Sequence, residues 1–192
     1  MKTETWIDKS DWGPGPWQDE NDRVEWHDPH SGLPCLLLRN PYGGFWCGYV
    51  GVPPRHPWHG WDYAKLPDVV QHAAHGELTY SDRCMDDPRV PVRDRICHLP
   101  KAGESDDVWW LGFDAAHLYD VRPGFNALMR RIEADEPPER AKARAEMREQ
   151  MERFGMFDVY ANQAYMMDRC KALAIVCDVR WHIEHKRKSE QR

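Results

Sequence analysis

The stretch Val108-Trp109-Trp110-Leu111-Gly112-Phe113, followed at once by Asp114-Ala115-Ala116-His117-Leu118-Tyr119-Asp120, decides how this chain is read. Val108 to Leu111 is the strongest strand signal in the sequence, because β-branched and aromatic side chains suit a pleated, half-buried surface. Gly112 ends the run or lets another group approach closely. Working back from it, Pro34–Arg39 (PCLLLR) and Gly44–Val52 (GFWCGYVGV) flank the turn composition Asn40-Pro41-Tyr42-Gly43. That pattern predicts a β-hairpin, the first two strands of the main sheet. Arg23–Asp28 reads as an edge strand with Trp26 inward, residues 75–81 (HGELTYS) as a short strand entered through Gly76, and Val92–Leu99 as a further strand candidate. Tyr63–Ala74 has room for a short helix limited by Pro67.

Beyond residue 122 the pattern changes to helix. Arg122-Pro123-Gly124 is a helix-starting turn, and Asn126–Glu133 continues it. Pro137-Pro138 opens a charged helix through Phe154, with Glu149 and Arg153 paired at i,i+4 and almost no apolar stripe. In Asp158–Ile183, the residues Val159, Met166, Cys170, Leu173, Cys177 and Trp181 recur at helical spacing and predict one buried face. The expected fold class is α+β, with a small antiparallel or mixed sheet and long loops in the N-terminal two-thirds and helices in the C-terminal third. A length of 192 residues fits a single domain over 1–192. Within it we distinguish an irregular N-terminal arm (1–22), a strand- and loop-rich body (23–122), a helical part (123–185) and a basic tail (186–192). If the arm is ordered, its Trp6, Trp12 and Trp17 dock on the body.

Composition narrows the function. The formal charge is -6, and residues 1–30 carry three basic and eight acidic side chains. An acidic body argues against general nucleic-acid binding, which depends on neutralising phosphates. No apolar run is long enough to span a membrane, and MKTETWIDKS has no apolar signal core, so the expected location is the cytoplasm. The six cysteines show no C-x-x-C spacing and read there as reduced, mostly buried thiols. There is no G-x-G-x-x-G, no P-loop, no G-x-S-x-G and no H-E-x-x-H, hence no nucleotide-cofactor motif and no standard hydrolase signature.

The histidines point to chemistry. Of ten, six fall between His56 and His117, in loops or at strand ends where sites are built. Asp114, His117 and Asp120 stand at i, i+3 and i+6, within a third of the circumference of a helix. In that arrangement Asp114 also reads as a helix N-cap. His72, His75 and Glu77 form a second constellation, in which Gly76 permits close approach of the backbone beside His75. The loop Pro53–Tyr63 holds a third: Arg55, His56 and His59, with Trp58 and Trp61.

Together, His75, Asp114 and His117 are the candidate metal ligands, with Asp120, His59 or His56 completing the set. Zinc takes three such ligands and a water in a catalytic site, and carboxylate-rich sets also suit manganese. The candidate catalytic residues are His75, Asp114, His117 and Asp120, with Glu77 as a base. The candidate substrate-binding residues are Arg55 for a phosphate and His56, His59, Trp58 and Trp61 beside it. A metal-free alternative places a nucleophile at Cys84, Cys97 or Cys47, served by His75, His98 or His117.

The blocks GFWCGYVGVPPRHPWHG, HGELTYS and DDVWWLGFDAAHLYD, in that order, resemble a family of small uncharacterised proteins encoded by bacteriophages and prophages. That family carries HGGLTY where this chain has His75-Gly76-Glu77-Leu78-Thr79-Tyr80, so Glu77 departs from the pattern. The resemblance covers roughly residues 34–120 and implies a setting in the cytoplasm of an infected or lysogenic bacterium. Two readings follow. One is a small metal-dependent hydrolase of a nucleotide or phosphorylated metabolite, using one divalent transition metal. The other is a non-enzymatic accessory or anti-defence protein that binds a host protein through exposed tryptophans and an acidic surface.

Overall fold

The computed structural model describes residues 1–85, 87–98, 106–155 and 158–190; at helical residues 152 and 184–190 only the backbone is described. Six strands form one sheet: β1 (Lys2–Glu4), β2 (Arg23–His27), β3 (Pro34–Arg39), β4 (Trp46–Val52), β5 (Tyr80–Arg83) and β6 (Trp109–Asp114). Their spatial order is β1-β2-β3-β4-β6-β5, and every pairing is antiparallel. The helices are α1 (Asp68–Gln71), α2 (Pro123–Ala134), α3 (Pro138–Arg153) and α4 (Gln163–Glu190). This is the expected α+β architecture, with the strands in the N-terminal two-thirds and, α1 apart, the helices toward the C-terminal third. Among the described residues, no helix is long and apolar enough to cross a membrane.

The sheet is apolar on both faces, and period-two alternation sorts its side chains. Cys35 and Leu37 of β3 and Leu111 and Phe113 of β6 belong to the larger core, which α4 covers with Met166, Cys170, Leu173, Ala174 and Cys177. Those helix positions are fully buried; Met166, Cys170, Leu173 and Cys177 are of the predicted face, whose Trp181 is half-buried. The helix sits close because β4 has a glycine beneath it. A Cβ on Gly48 would lie 2.6 Å from Phe113 Cζ and 2.9 Å from Cys170 Sγ. Leu36, Tyr49 and Trp110 form a second core on the other face, with Ile96 and Val108. Turn chemistry matches composition: Asn40 Oδ1 accepts from the Tyr42 and Gly43 amides, closing the β3–β4 hairpin.

The segment over the second core departs from expectation. It contains a 3-10 turn at Val92–Asp94 rather than a strand, and Leu99 lies outside the described residues. The Met85 amide donates to the Ile96 carbonyl at 3.0 Å, bringing Cys84 and Cys97 together as a disulfide with Cα atoms 4.7 Å apart. The expectation of uniformly reduced thiols is therefore corrected. Cys35, Cys47, Cys170 and Cys177 remain free.

Other differences concern element edges. β1 pairs with β2, so β2 is an internal strand and the arm is ordered, with Trp12 buried. Residues 75–79 are not strand; β5 starts at Tyr80. Asp114 ends β6 and residues 115–119 are a bend and turn, not a helix, because Asp120 and Val159 form a parallel bridge that pulls the chain extended. Val159 is accordingly outside α4 and 65% exposed. The side chains of the basic tail at 186–192 lie outside the described residues.

A buried charge network ties the arm to the rest. Arg39 is fully buried over the Trp46 ring. Its guanidinium meets Glu20 at 2.7 Å, Asp22 at 3.3 Å and the Tyr160 hydroxyl at 2.9 Å. Glu20 also accepts from the Gln163 amide at 2.7 Å, at the start of α4, where a carboxylate complements the helix dipole.

Candidate metal centre

The site is built where β6 runs out. After Asp114 the chain turns, the Asp120 amide donates to the His117 carbonyl, and the Asp120 carboxylate reaches back. It accepts from the His117 amide at 2.8 Å and lies 3.0 Å from His117 Nδ1. From the segment between α1 and β5, His75 presents Nε2 at 3.0 Å from both Asp120 oxygens. The two imidazoles meet edge to face with centroids 5.1 Å apart. Gly76 makes this approach feasible. Its φ is +70°, and a Cβ there would sit 2.4 Å from His117 Nε2.

The ligand atoms of His75, His117 and Asp120 all lie within 4.8 Å of one another. Tetrahedral zinc with bonds of about 2.0–2.1 Å sets its ligands about 3.3 Å apart, so the 3.0 Å His–Asp separations need little change to admit an ion. Side-chain exposure rises from 8% at Asp120 through 19% at His75 to 40% at His117, which makes the cluster anchored at one end and open at the other.

Protonation follows from the partners. An ionised carboxylate only accepts, so His75 Nε2 and His117 Nδ1 both carry protons toward Asp120. In the neutral ring, His75 Nδ1 then accepts from the Tyr165 hydroxyl at 2.9 Å. A metal on His75 Nε2 would reverse that bond, with Nδ1–H donating to the same hydroxyl; a partner on the far nitrogen is what orients a metal-binding histidine. Tyr165 is itself fixed at the start of α4, where its amide donates to the Asn162 cap at 2.9 Å.

The candidates from the sequence divide into groups. His75, His117 and Asp120 come together. Asp114 stays outside that set: its carboxylate accepts from the Thr79 hydroxyl at 2.7 Å and from the Ala116 amide at 3.1 Å, holding the turn. Glu77 is exposed and His72 bonds its own helix at the Asp68 carbonyl. The Arg55 loop lies elsewhere. His56 Nε2 is 3.0 Å from the Cys177 carbonyl, and Cys177 is twelve residues, or about 18 Å, along α4 from Tyr165. His59 bonds the Asp107 carbonyl just before β6, whereas His117 follows its far end.

His56 is buried and its ring stacks on Trp181. Burial holds its pKa below the usual histidine range, against the pull of the Cys177 carbonyl. Trp58 is buried core, Trp61 is 45% exposed, and Arg55 is exposed. The cysteine alternative is corrected as well: Cys84 and Cys97 are bonded to each other, and burial pushes the Cys47 thiol up to about 12.

Thr79, Tyr165 and Arg169 were not singled out from the sequence. Arg169, one turn beyond Tyr165 on α4, places its guanidinium 5.5 Å from the Tyr165 ring centroid and makes no ion pair among the described residues. The Tyr165–Arg169 spacing of i,i+4 was the available signal, legible only once Tyr165 was known to touch His75. In comparisons with known proteins, no family model, curated protein or solved structure matches the chain.

Proposed function

We propose that this chain is a small metal-dependent hydrolase in which His75, His117 and Asp120 hold one divalent transition metal, zinc or manganese. The convergence of their three donor atoms within 4.8 Å, at a site open on the His117 side, carries this reading. Such an ion supplies Lewis acidity and a water activated near neutral pH. The proposed substrate is a nucleotide or another phosphorylated metabolite. Its anionic group is met by Arg169 rather than Arg55, because Arg169 stands one side chain away from His75 through Tyr165. Tyr165 orients His75, and Asp114 with Thr79 braces the turn that presents His117. The phage or prophage setting and the bacterial cytoplasm, implied by the sequence blocks, belong to the same proposal.

Elemental analysis of the disulfide form after reconstitution with zinc or manganese tests the site. Near one equivalent of metal is expected in the wild type and in Asp114→Asn, with loss in His75→Ala and His117→Ala. A screen of phosphorylated substrates follows, in which Arg169→Ala raises KM more than it lowers kcat. A wild type that takes up no metal overturns the reading.

A second reading rests on a different observation. The His75–Asp120–His117 group closes on itself by hydrogen bonds, and Leu118, Tyr119 and Val159 beside it are exposed apolar side chains. As a rim for a host protein, that surface would bind equally well in His117→Ala, and pull-downs comparing Leu118→Glu with His117→Ala separate the two readings.

A further inference from the structure

At the opposite end of β6, and on the opposite face of the sheet, a second donor set lines the cavity of about 810 Å³. Cys84, Cys97 and His98 each offer a ligand atom, and these lie within 4.8 Å of one another. We propose that these three residues form a second metal site, specific for a thiophilic ion such as Zn²⁺, which opens when the Cys84–Cys97 disulfide is reduced.

Three observations carry the proposal. The set is chemically apt, since two thiolates and an imidazole are a zinc ligand combination and the cavity leaves a fourth position to water. It is supported from behind: the indole Nε1–H of fully buried Trp110 donates to Cys84 Sγ at 3.4 Å, and the Trp110 ring packs edge-on against His98 with centroids 5.6 Å apart. Hydrogen bonds of this kind orient and tune metal-bound sulfur. The site is also held from the side. Buried Arg23 donates to the carbonyls of Arg93, Arg95 and Cys97, pinning the segment that carries Cys97 and His98 to β2 by contacts that do not involve the sulfur atoms.

The chemistry balances with a low-molecular-weight thiol as reductant. Two such thiols give two electrons and two protons to the S–S bond and leave as their own disulfide, and Cys84 and Cys97 become thiols. Those two protons are released as the two Zn–S bonds form. The other cysteines do not compete: burial pushes the Cys35 and Cys47 thiols up to about 12 and also raises those of Cys170 and Cys177.

The test uses the full chain, oxidised or reduced with a phosphine and desalted anaerobically. Zn²⁺ uptake is measured by competition with a chromophoric chelator, and Co²⁺ uptake by its thiolate charge-transfer absorption. The reduced protein is expected to take up one more equivalent than the oxidised protein and to show the cobalt–thiolate band. Iodoacetamide should label Cys84 and Cys97 in the reduced protein, and zinc should protect both. Trp110→Phe is expected to weaken the reduced site about tenfold. His98→Ala, which keeps the disulfide, should weaken it while leaving the count in the oxidised form unchanged. Equal zinc uptake in both redox states, or no protection of the two cysteines, overturns the proposal. Because the His75 site is counted in the oxidised protein, its failure is scored separately.

Discussion

At the scale of single residues, the candidate centre depends on one missing methyl group. Gly76 has a left-handed backbone, which costs any L-residue roughly 1–2 kcal/mol, and its Cα faces the His117 ring. Gly76→Ala should therefore lower stability by about that amount in urea unfolding and displace His117. Metal uptake at His75, His117 and Asp120 should weaken with it. Unchanged uptake in a destabilised variant would show that the ring position is unimportant. Tyr165→Phe is the gentler probe. It removes a hydroxyl whose only described side-chain bond is to His75, and metal affinity should fall by about 10–100-fold with little change in stability. Isothermal titration compared with thermal melting checks both halves of that expectation.

At the scale of elements, α4 packs closely on β4 at Gly48. Gly48→Ala puts a methyl group against Phe113 and Cys170 and should destabilise by about 1–3 kcal/mol, as overpacking does. Chemical denaturation with an unchanged m-value is the measurement; a loss below half a kilocalorie would mean the helix rides higher than described. The buried face of α4 was legible in the sequence, because Met166, Cys170, Leu173 and Cys177 repeat with helical period, and VWWLGF was its strongest strand signal; which strand the helix covers was not. The hairpin at Asn40–Gly43 was legible for the same reason, since turn residues have a local cause.

What was not legible is whatever distant partners decide. Asp114–Asp120 has helical spacing, yet the bridge to Val159 makes it a turn, and no window of sequence contains both. Asp114 accordingly dropped out of the cluster and Asp120 became its centre. Cys84 and Cys97 stand thirteen residues apart, and only the return of the chain at Met85 and Ile96 joins them. The role suggested for Arg55 failed to gather at the site because His56 anchors its loop near Cys177, a long-range contact without a local signal.

At the scale of the whole molecule, stability is coupled to pH through Glu20. Burial alone would raise the pKa of this carboxyl. The Gln163 amide, the Tyr160 hydroxyl and Arg39 together outweigh that and hold it below the ordinary range. A depressed folded pKa means that its stabilisation is present at neutral pH and is lost as pH falls through the folded value. Glu20→Gln should cost about 1.5–3 kcal/mol at neutral pH, because Arg39 loses its nearest carboxylate and keeps only Asp22 at 3.3 Å. The gap to wild type should narrow steadily below the ordinary carboxylate value of 4.5. Parallel stability curves for the two proteins across the acid range would contradict this account.

The clasp between Glu20 and Gln163 joins positions 143 residues apart, and it has a bearing on how the protein is made. A ribosome releases the arm and all six strands well before α4. Until that last helix emerges, the sheet face bearing Leu37, Val50, Leu111 and Phe113 has no cover, and Glu20 lacks the amide that caps it. The nascent chain therefore carries an exposed apolar face until α4 has emerged to cover it. In a cell, its yield should depend on holdase chaperones during synthesis more than on the stability of the finished protein.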